Sequence, residues 1–168
     1  VSHELGHTLG LRHDGDLTQP SGSTGRAYYG GHGSGAVSWG PIMGASYTRS
    51  LVQWSSGEYL GANNQEDDIA LITRPANGFG FVSDEAGNAR ATATALAVTG
   101  GAITQVGVIS SSADVDFYAF TLTAVADLSI SANPAAVSPN LDISLELQSA
   151  AGATLASSNP DLALSADL

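Results

Sequence analysis

Two kinds of hydrophobic periodicity divide the chain. Near the N-terminus, Leu5 and Leu9 recur at helical spacing, which predicts a helix that Gly10 ends. From about residue 92 onwards, apolar and polar residues alternate with period two instead. In the stretch LDISLELQ, four apolar side chains point to one side and four polar side chains to the other, as in a half-buried strand. The stretch VDFYAFTL follows a similar pattern.

A second helix is predicted between Asn64 and Pro75. Asn64 is the candidate N-cap, and Arg74 and Pro75 end the helical pattern. The predicted first turn is acidic, which suits the positive end of the helix dipole. Its acidic residues are Glu66, Asp67 and Asp68.

The composition changes along the chain in step with the periodicity. Residues 1–75 hold all four histidines, both tryptophans and the single methionine. Residues 76–91 are rich in glycine, asparagine and acids, as is typical of a linker. Residues 92–168 carry short alternating strands broken by turns, which suggests an antiparallel β-sandwich. The predicted fold class is therefore α+β, with a helical and loop-rich first domain followed by a sandwich.

Charge and cysteine content exclude several kinds of partner and site. The 16 acidic residues and five arginines give a net charge of -11, which argues against nucleic acid and anionic membrane surfaces as partners. No apolar run reaches the length of about 18 residues that a membrane span needs, so none is predicted. The chain has no cysteine, which excludes disulfides and zinc–thiolate sites.

The strongest chemical signal is the stretch HELGHTLGLRHD near the N-terminus. On a helix, His3 and His7 project from one face, one turn apart, so both can reach a single zinc ion. Gly10 tolerates a positive φ and lets the backbone turn, which brings His13 back as a third ligand. Glu4 lies beside them as the candidate general base. Three protein ligands leave one position open, as in catalytic zinc sites.

This pattern resembles the signature of the metzincin zinc peptidases, HExxHxxGxxH followed by a methionine turn. The stretch WGPIMGASY is similar to that turn, and the resemblance implies that Met43 lies beneath the zinc as an apolar floor. Some metzincins carry a tyrosine ligand two residues after this methionine. Ala45 occupies that position here, so no tyrosine ligand is expected, and the role of nearby Tyr47 is open.

The residue after the third histidine places the resemblance within the metzincins. The aspartate at this position, Asp14, resembles the pattern of the reprolysin (adamalysin-like) branch. The stretches GHG, WSSGEY and NNQEDDIALI resemble the secreted bacterial members of that branch. Pro41 stands where the animal enzymes have a cysteine. Asp14 either braces the site or caps the turn. His32, in a glycine-rich loop, either lines the substrate cleft or is a solvated loop histidine.

The resemblance implies a zinc-dependent endopeptidase that acts on a protein or peptide substrate. Zinc would orient and acidify a water molecule and polarise the scissile carbonyl. Glu4 would take the proton from that water and pass it to the leaving amine.

The second half resembles the bacterial pre-peptidase C-terminal domain, a β-sandwich of secreted peptidases. The similar stretches run from DEAGNARATATAL through DVDFYAFTL to LDISLELQSAAGATLASSNP. This resemblance implies an extracellular protein, with attachment to a surface or matrix through the sandwich. Asp114 and Asp116 lie in one turn and are either calcium ligands or solvated acids.

Both resemblances cover only part of a family domain. A metzincin has a subdomain ahead of the histidine motif, whereas only Val1 and Ser2 precede His3 here. We therefore expect a piece of a longer protein, with weak or no proteolysis on its own. The alternative is a non-catalytic secreted binding module with a vestigial or structural zinc site. A metal-dependent hydrolase of another substrate is disfavoured by the methionine turn.

Overall fold

The computed structural model describes residues 1–168 and combines short helices with short strands. The α-helices are α1 (Ser2–Leu9), α2 (Thr24–Ala27) and α3 (Asp68–Ile72). The strands are β1 (Trp39–Pro41), β2 (Leu51–Gln53), β3 (Thr94–Ala95), β4 (Tyr118–Ala119), β5 (Ser131–Ala132), β6 (Leu145–Gln148), β7 (Thr154–Ser158) and β8 (Ala166–Asp167). Single 3-10 turns lie at Gly35–Val37, Pro75–Asn77 and Arg90–Thr92.

Helix α1 begins and ends as the sequence predicts. Gly10 adopts a left-handed conformation with φ of 100°, and its N–H donates to the His7 carbonyl. The Leu11 N–H donates to the Gly6 carbonyl, which closes the C-terminal turn of the helix. Glycine is required here because a side chain is strained at this φ.

Helix α3 is shorter than the predicted second helix, and the predicted N-cap is wrong. Asp67 is the cap, and its carboxylate accepts from the Ala70 N–H at 2.9 Å. Asn64 instead accepts from the Glu66 N–H at 3.1 Å, two residues along in a local turn. Glu66 thus lies before the helix, where its side chain contacts Arg12.

The larger part of the small core lies in the first half of the chain, and Met43 and Leu11 pack against α1 at Gly6. The buried apolar side chains of the first half are Leu11, Met43, Leu51 and Tyr59. Parallel strands β1 and β2 place Leu51 opposite Trp39 and bring the segment after β1 under the helix. In the second half the buried apolar residues are Ala86, Leu164 and Ala166. The site-bearing helix therefore rests on the better-packed part of the molecule.

The α+β class is confirmed, since helix and strand each make up a modest share of the chain, 15% and 18%. The period-two prediction for residues 141–148 is confirmed in burial for residues 141–147 and is wrong at Gln148, which is half-buried. Leu141, Ile143, Leu145 and Leu147 are half-buried, while Asp142, Ser144 and Glu146 are exposed.

The strands of the second half pair only in twos. Strands β5 with β8 and β6 with β7 are antiparallel. Strands β3 and β4 are parallel, which their long connection permits. An antiparallel sandwich built from these strands stays a prediction. None of the helices combines the length and the apolar character that a membrane crossing requires.

Candidate metal centre

Three imidazole rings meet beside α1, which carries His3 in its first turn and His7 in its last. The ring centroids of His3 and His7 are 5.0 Å apart, those of His3 and His13 are 5.3 Å apart, and those of His7 and His13 are 4.7 Å apart. One ligand nitrogen from each ring lies within 4.8 Å of the other two. The helix supplies the first two rings, and the left-handed turn at Gly10 returns the third.

Hydrogen bonds to backbone carbonyls orient two of the rings. The Nδ1 atom of His3 lies 2.8 Å from the Ile42 oxygen, and Nδ1 of His7 lies 2.9 Å from the Leu11 oxygen. A carbonyl can only accept, so each Nδ1 carries the proton in this arrangement. Each Nε2 then keeps its lone pair, which is the form that binds a metal ion.

The donor set fits zinc. The Nε2 atoms of His7 and His13 are 2.9 Å apart, close to the roughly 3.3 Å that separates two nitrogens on one tetrahedral zinc. Burial lowers the pKa of His13, and the neighbouring His7 and His3 lower it further, which favours the neutral ring. Neutral imidazoles and borderline nitrogen ligands are typical of zinc sites.

Met43 lies directly under the helix that carries the first two rings. Its side chain is fully buried, and its sulfur would be 2.5 Å from a Cβ built on Gly6. The Met43 carbonyl accepts from the N–H of Asp14 at 3.0 Å. The methionine turn is thereby tied to both ends of the histidine motif.

This close approach leads to a test at Gly6. Glycine to alanine in a helix ordinarily stabilises it by about 1 kcal/mol. Here the new Cβ would meet Met43 at 2.5 Å and Leu11 at 3.2 Å. We expect Gly6→Ala to lower the free energy of unfolding by up to about 2 kcal/mol, because moving the overpacked neighbours costs about 1–3 kcal/mol and the helix gain offsets only about 1 kcal/mol of that cost. Urea unfolding of the metal-free protein measures this, with Thr8→Ala on the exposed side of α1 as the control. A more stable Gly6→Ala protein would contradict the close packing.

Glu4 opens onto the same depression as the three histidines. This depression has a volume of about 500 Å³, and Tyr28 and Tyr47 are part of its wall. The ring centroid of Tyr28 is 4.4 Å from that of His13. Glu4 is exposed, so its carboxylate is accessible to water and to a substrate in the depression. Ala45 lines the depression at the position where some metzincins carry a tyrosine.

Asp14 points into the interior rather than toward solvent. Its residue is 2% exposed, and one carboxyl oxygen, Oδ2, is buried without a hydrogen-bond partner. Burial, and next the charge of Asp68, raise the pKa of Asp14 to about 7. Burial likewise raises the pKa of Asp68 to about 6. The backbone of Asp14 links the turn to Met43, while its side chain faces a second buried acid.

His32 lies apart from the other three histidines. It is exposed, its Nδ1 lies 2.9 Å from the Tyr29 hydroxyl, and its ring is 5.4 Å from that of Trp39. It is not part of the depression that Glu4 lines.

The predicted calcium ligands Asp114 and Asp116 belong to a cluster of three acids. Carboxylate oxygens of Asp84, Asp114 and Asp116 lie within 4.8 Å of one another. The Oδ1 atoms of Asp114 and Asp116 are buried and have no hydrogen-bond partner. Burial, and next the charge of Glu85, raise the pKa of Asp116. Calcium binding at this cluster stays a prediction.

Sequence reasoning did not assign a role at the site to Arg12 and Glu66. The Glu66 carboxylate accepts from the backbone N–H of Arg12 at 2.6 Å, and from its guanidinium at 3.1 and 3.0 Å. One signal was available, because Arg12 is one of only five basic residues and directly precedes a predicted ligand. It did not reveal which of 16 acids is the partner.

The interpretation of the site depends on its own geometry, namely the convergent imidazoles, Glu4 and Met43. Comparison with known proteins finds no relative of this chain. No family model, no curated protein and no solved structure matches the chain.

Proposed function

We propose that this chain is the zinc-binding part of a secreted bacterial zinc endopeptidase of the reprolysin-like metzincin type. One observation carries the proposal. The ligand nitrogens of His3, His7 and His13 converge within 4.8 Å, next to Glu4 in one open depression. A structural zinc site is closed by four protein ligands, whereas this arrangement has three and opens to solvent.

Each residue of the site has a distinct task in this proposal. His3, His7 and His13 hold the metal, and the carbonyls of Ile42 and Leu11 keep two of the rings oriented. Bound zinc supplies Lewis-acid polarisation of a peptide carbonyl and makes water acidic enough to lose a proton near neutral pH. Glu4 would accept a proton from the attacking water and deliver it to the leaving amine. Met43 supports the helix from below, which limits movement of the rings.

The second half fits an accessory role in the same proposal. We propose that residues 92–168 belong to a sandwich of the pre-peptidase C-terminal type, which attaches the enzyme to an extracellular surface or matrix. The half-buried alternating stretch at residues 141–147 supports a strand with one covered face.

The rival proposal is a secreted binding module whose zinc is structural. The open depression beside Glu4 favours the peptidase, because a structural zinc has no use for a solvent-accessible carboxylate next to it. The two proposals predict the same metal binding and differ in hydrolysis.

The test therefore measures metal and hydrolysis separately. We expect the 168-residue chain to bind about one zinc ion with nitrogen ligands, measured by elemental analysis and X-ray absorption. We expect the longer protein that carries this chain to cleave casein, and to lose that activity when a chelator removes the zinc. Zinc bound without hydrolysis by the longer protein would favour the binding module.

A further inference from the structure

A single peptide group connects a half-buried acid, Glu66, to one of the proposed metal ligands. The carbonyl of Leu11 accepts from Nδ1 of His7 at 2.9 Å. The N–H of the same peptide group belongs to Arg12 and donates to Oε1 of Glu66 at 2.6 Å. The carboxylate, the peptide group and the imidazole therefore form a continuous chain of hydrogen bonds that ends at Nδ1 of His7, in the same ring as the ligand nitrogen Nε2.

We propose that Glu66 is a positioning residue that acts on His7 through the Leu11–Arg12 peptide group and strengthens its hold on the metal. The proposal rests on the zinc site proposed above, but it does not depend on peptidase activity. Histidine ligands in metal sites commonly donate their second N–H to a carboxylate or a carbonyl, which orients the ring and raises its basicity. Here the peptide group that supplies the carbonyl also donates its N–H to a carboxylate.

The physical effect is polarisation of the peptide group. A negative charge at the N–H side increases the electron density on the carbonyl oxygen, so that oxygen becomes a better acceptor for His7. Linked hydrogen bonds strengthen one another by about 10–30% per bond. The bond from the Arg12 N–H is charge-assisted, and its 2.6 Å length is at the short end for N–H donors.

The position of Glu66 is well defined for this task. Its side chain is only 11% exposed. The Asn64 amide donates to Oε1 at 2.9 Å, and the Arg12 guanidinium donates twice to Oε2. Arg12 itself is 80% exposed, so the ion pair taken alone contributes little to stability. We therefore assign the functional role to the backbone contact and not to the ion pair.

His3 offers an internal control within the same molecule. Its Nδ1 also donates to a carbonyl, that of Ile42. The N–H of that peptide group belongs to Met43, and no carboxylate accepts from it. Loss of the Glu66 charge should therefore change His7 and leave His3 unchanged.

The experiment uses the 168-residue chain loaded with cobalt(II), whose binding is followed by visible absorbance. We expect Glu66→Gln, which is nearly the same shape but uncharged, to weaken cobalt binding by about 10-fold. Proton NMR of the cobalt-loaded protein resolves the ring N–H signals of the ligands. The His7 N–H signal should shift in Glu66→Gln, while the His3 signal should stay in place.

Two control variants separate the peptide contact from other causes. Arg12→Leu removes the ion pair and two of the bonds that hold Glu66 but keeps the backbone N–H, so it should weaken cobalt binding and shift the His7 signal much less than Glu66→Gln does. Glu146→Gln makes the same change in net charge on β6, where Glu146 contacts only Gln148 and Thr154, and it should have no effect.

The possible results distinguish this inference from the proposed function. Wild-type affinity and an unshifted His7 signal in Glu66→Gln would overturn the role of Glu66 and leave the zinc site intact. Equal shifts of His7 and His3 would show a general loosening and would also overturn it. If the wild-type chain binds no cobalt, the metal site fails, and this inference fails with it. If Glu66→Gln does not fold, Glu66→Asp tests the contact instead: it keeps the charge but shortens the reach to the Arg12 N–H, so cobalt binding should again weaken and the His7 signal should again shift more than the His3 signal.

Discussion

Replacing Glu4 with alanine is expected to leave the zinc in place and to lower peptide hydrolysis by about 10³-fold, the usual contribution of a positioned general base. In the proposed site the three imidazoles would hold the metal without help from Glu4, which is exposed and lines the depression. Hydrolysis of casein by the longer protein and the zinc content of the 168-residue chain are the two measurements. Both are made on wild type and on Glu4→Ala.

Glu4→Gln is the matched variant, because it keeps the shape and removes the ability to accept a proton. We expect it to lose as much activity as Glu4→Ala. Glu146→Ala, which is remote in sequence and lies on β6, serves as the control and should keep full activity. Full activity in Glu4→Gln would exclude proton transfer by this carboxylate. A loss of zinc in Glu4→Ala would show that the residue supports the metal instead.

The second large effect is expected at His13. We expect His13→Ala to weaken zinc binding by at least about 10³-fold, since removal of one of three ligands forfeits roughly a third of the binding energy. The metal-free protein should remain folded, because the surrounding turn is held by bonds from Asp14 to Met43 and from Tyr29 to Asp14. Zinc affinity is measured by competition with a chromophoric chelator, and folding is measured by circular dichroism.

His32 supplies the control for this experiment. It is the fourth histidine of the chain and lies apart from the other three, beside Tyr29 and Trp39. His32→Ala should bind zinc as tightly as wild type does. Equal loss in both variants would show that zinc does not bind at the proposed site, and unchanged affinity in His13→Ala would remove that residue from the ligand set.

The ligand cluster is the part of the site that sequence reasoning could reach. All three histidines lie within the first 13 residues, so their convergence depends only on one helix and one glycine turn. Helical spacing and the conformational freedom of glycine are local properties, and they predict the arrangement without reference to the rest of the fold.

Local sequence patterns could not predict the hydrogen bonds that join this site to distant segments of the chain. Glu66 contacts Arg12 across 54 residues, and the hydrogen bond of His3 to Ile42 spans 39 residues. The sequence near Glu66 favoured the first turn of a helix. Local propensity could not show that Glu66 instead accepts from the backbone N–H of Arg12, the residue before His13. Tertiary contacts override such weak local preferences.

The second half shows the same division. Period-two alternation correctly predicted which side chains of residues 141–147 are more buried, because successive side chains on a strand point to opposite faces. It did not predict which strands pair. The parallel pairing of β3 with β4 joins segments more than 20 residues apart in sequence, and alternation carries no information about a partner at that distance.

By itself, then, the sequence determined the helix, the glycine turn and the convergence of three histidines beside Glu4, because these depend on backbone geometry over a few residues. The resemblance implied that Met43 lies beneath the cluster, but only the tertiary structure decided the contacts that support it: the packing of Met43 against Gly6, the Ile42 carbonyl on His3, and Glu66 behind the peptide group that binds His7. The physical reason is that these contacts arise from packing between distant segments, and residue spacing along the chain does not encode which distant groups meet.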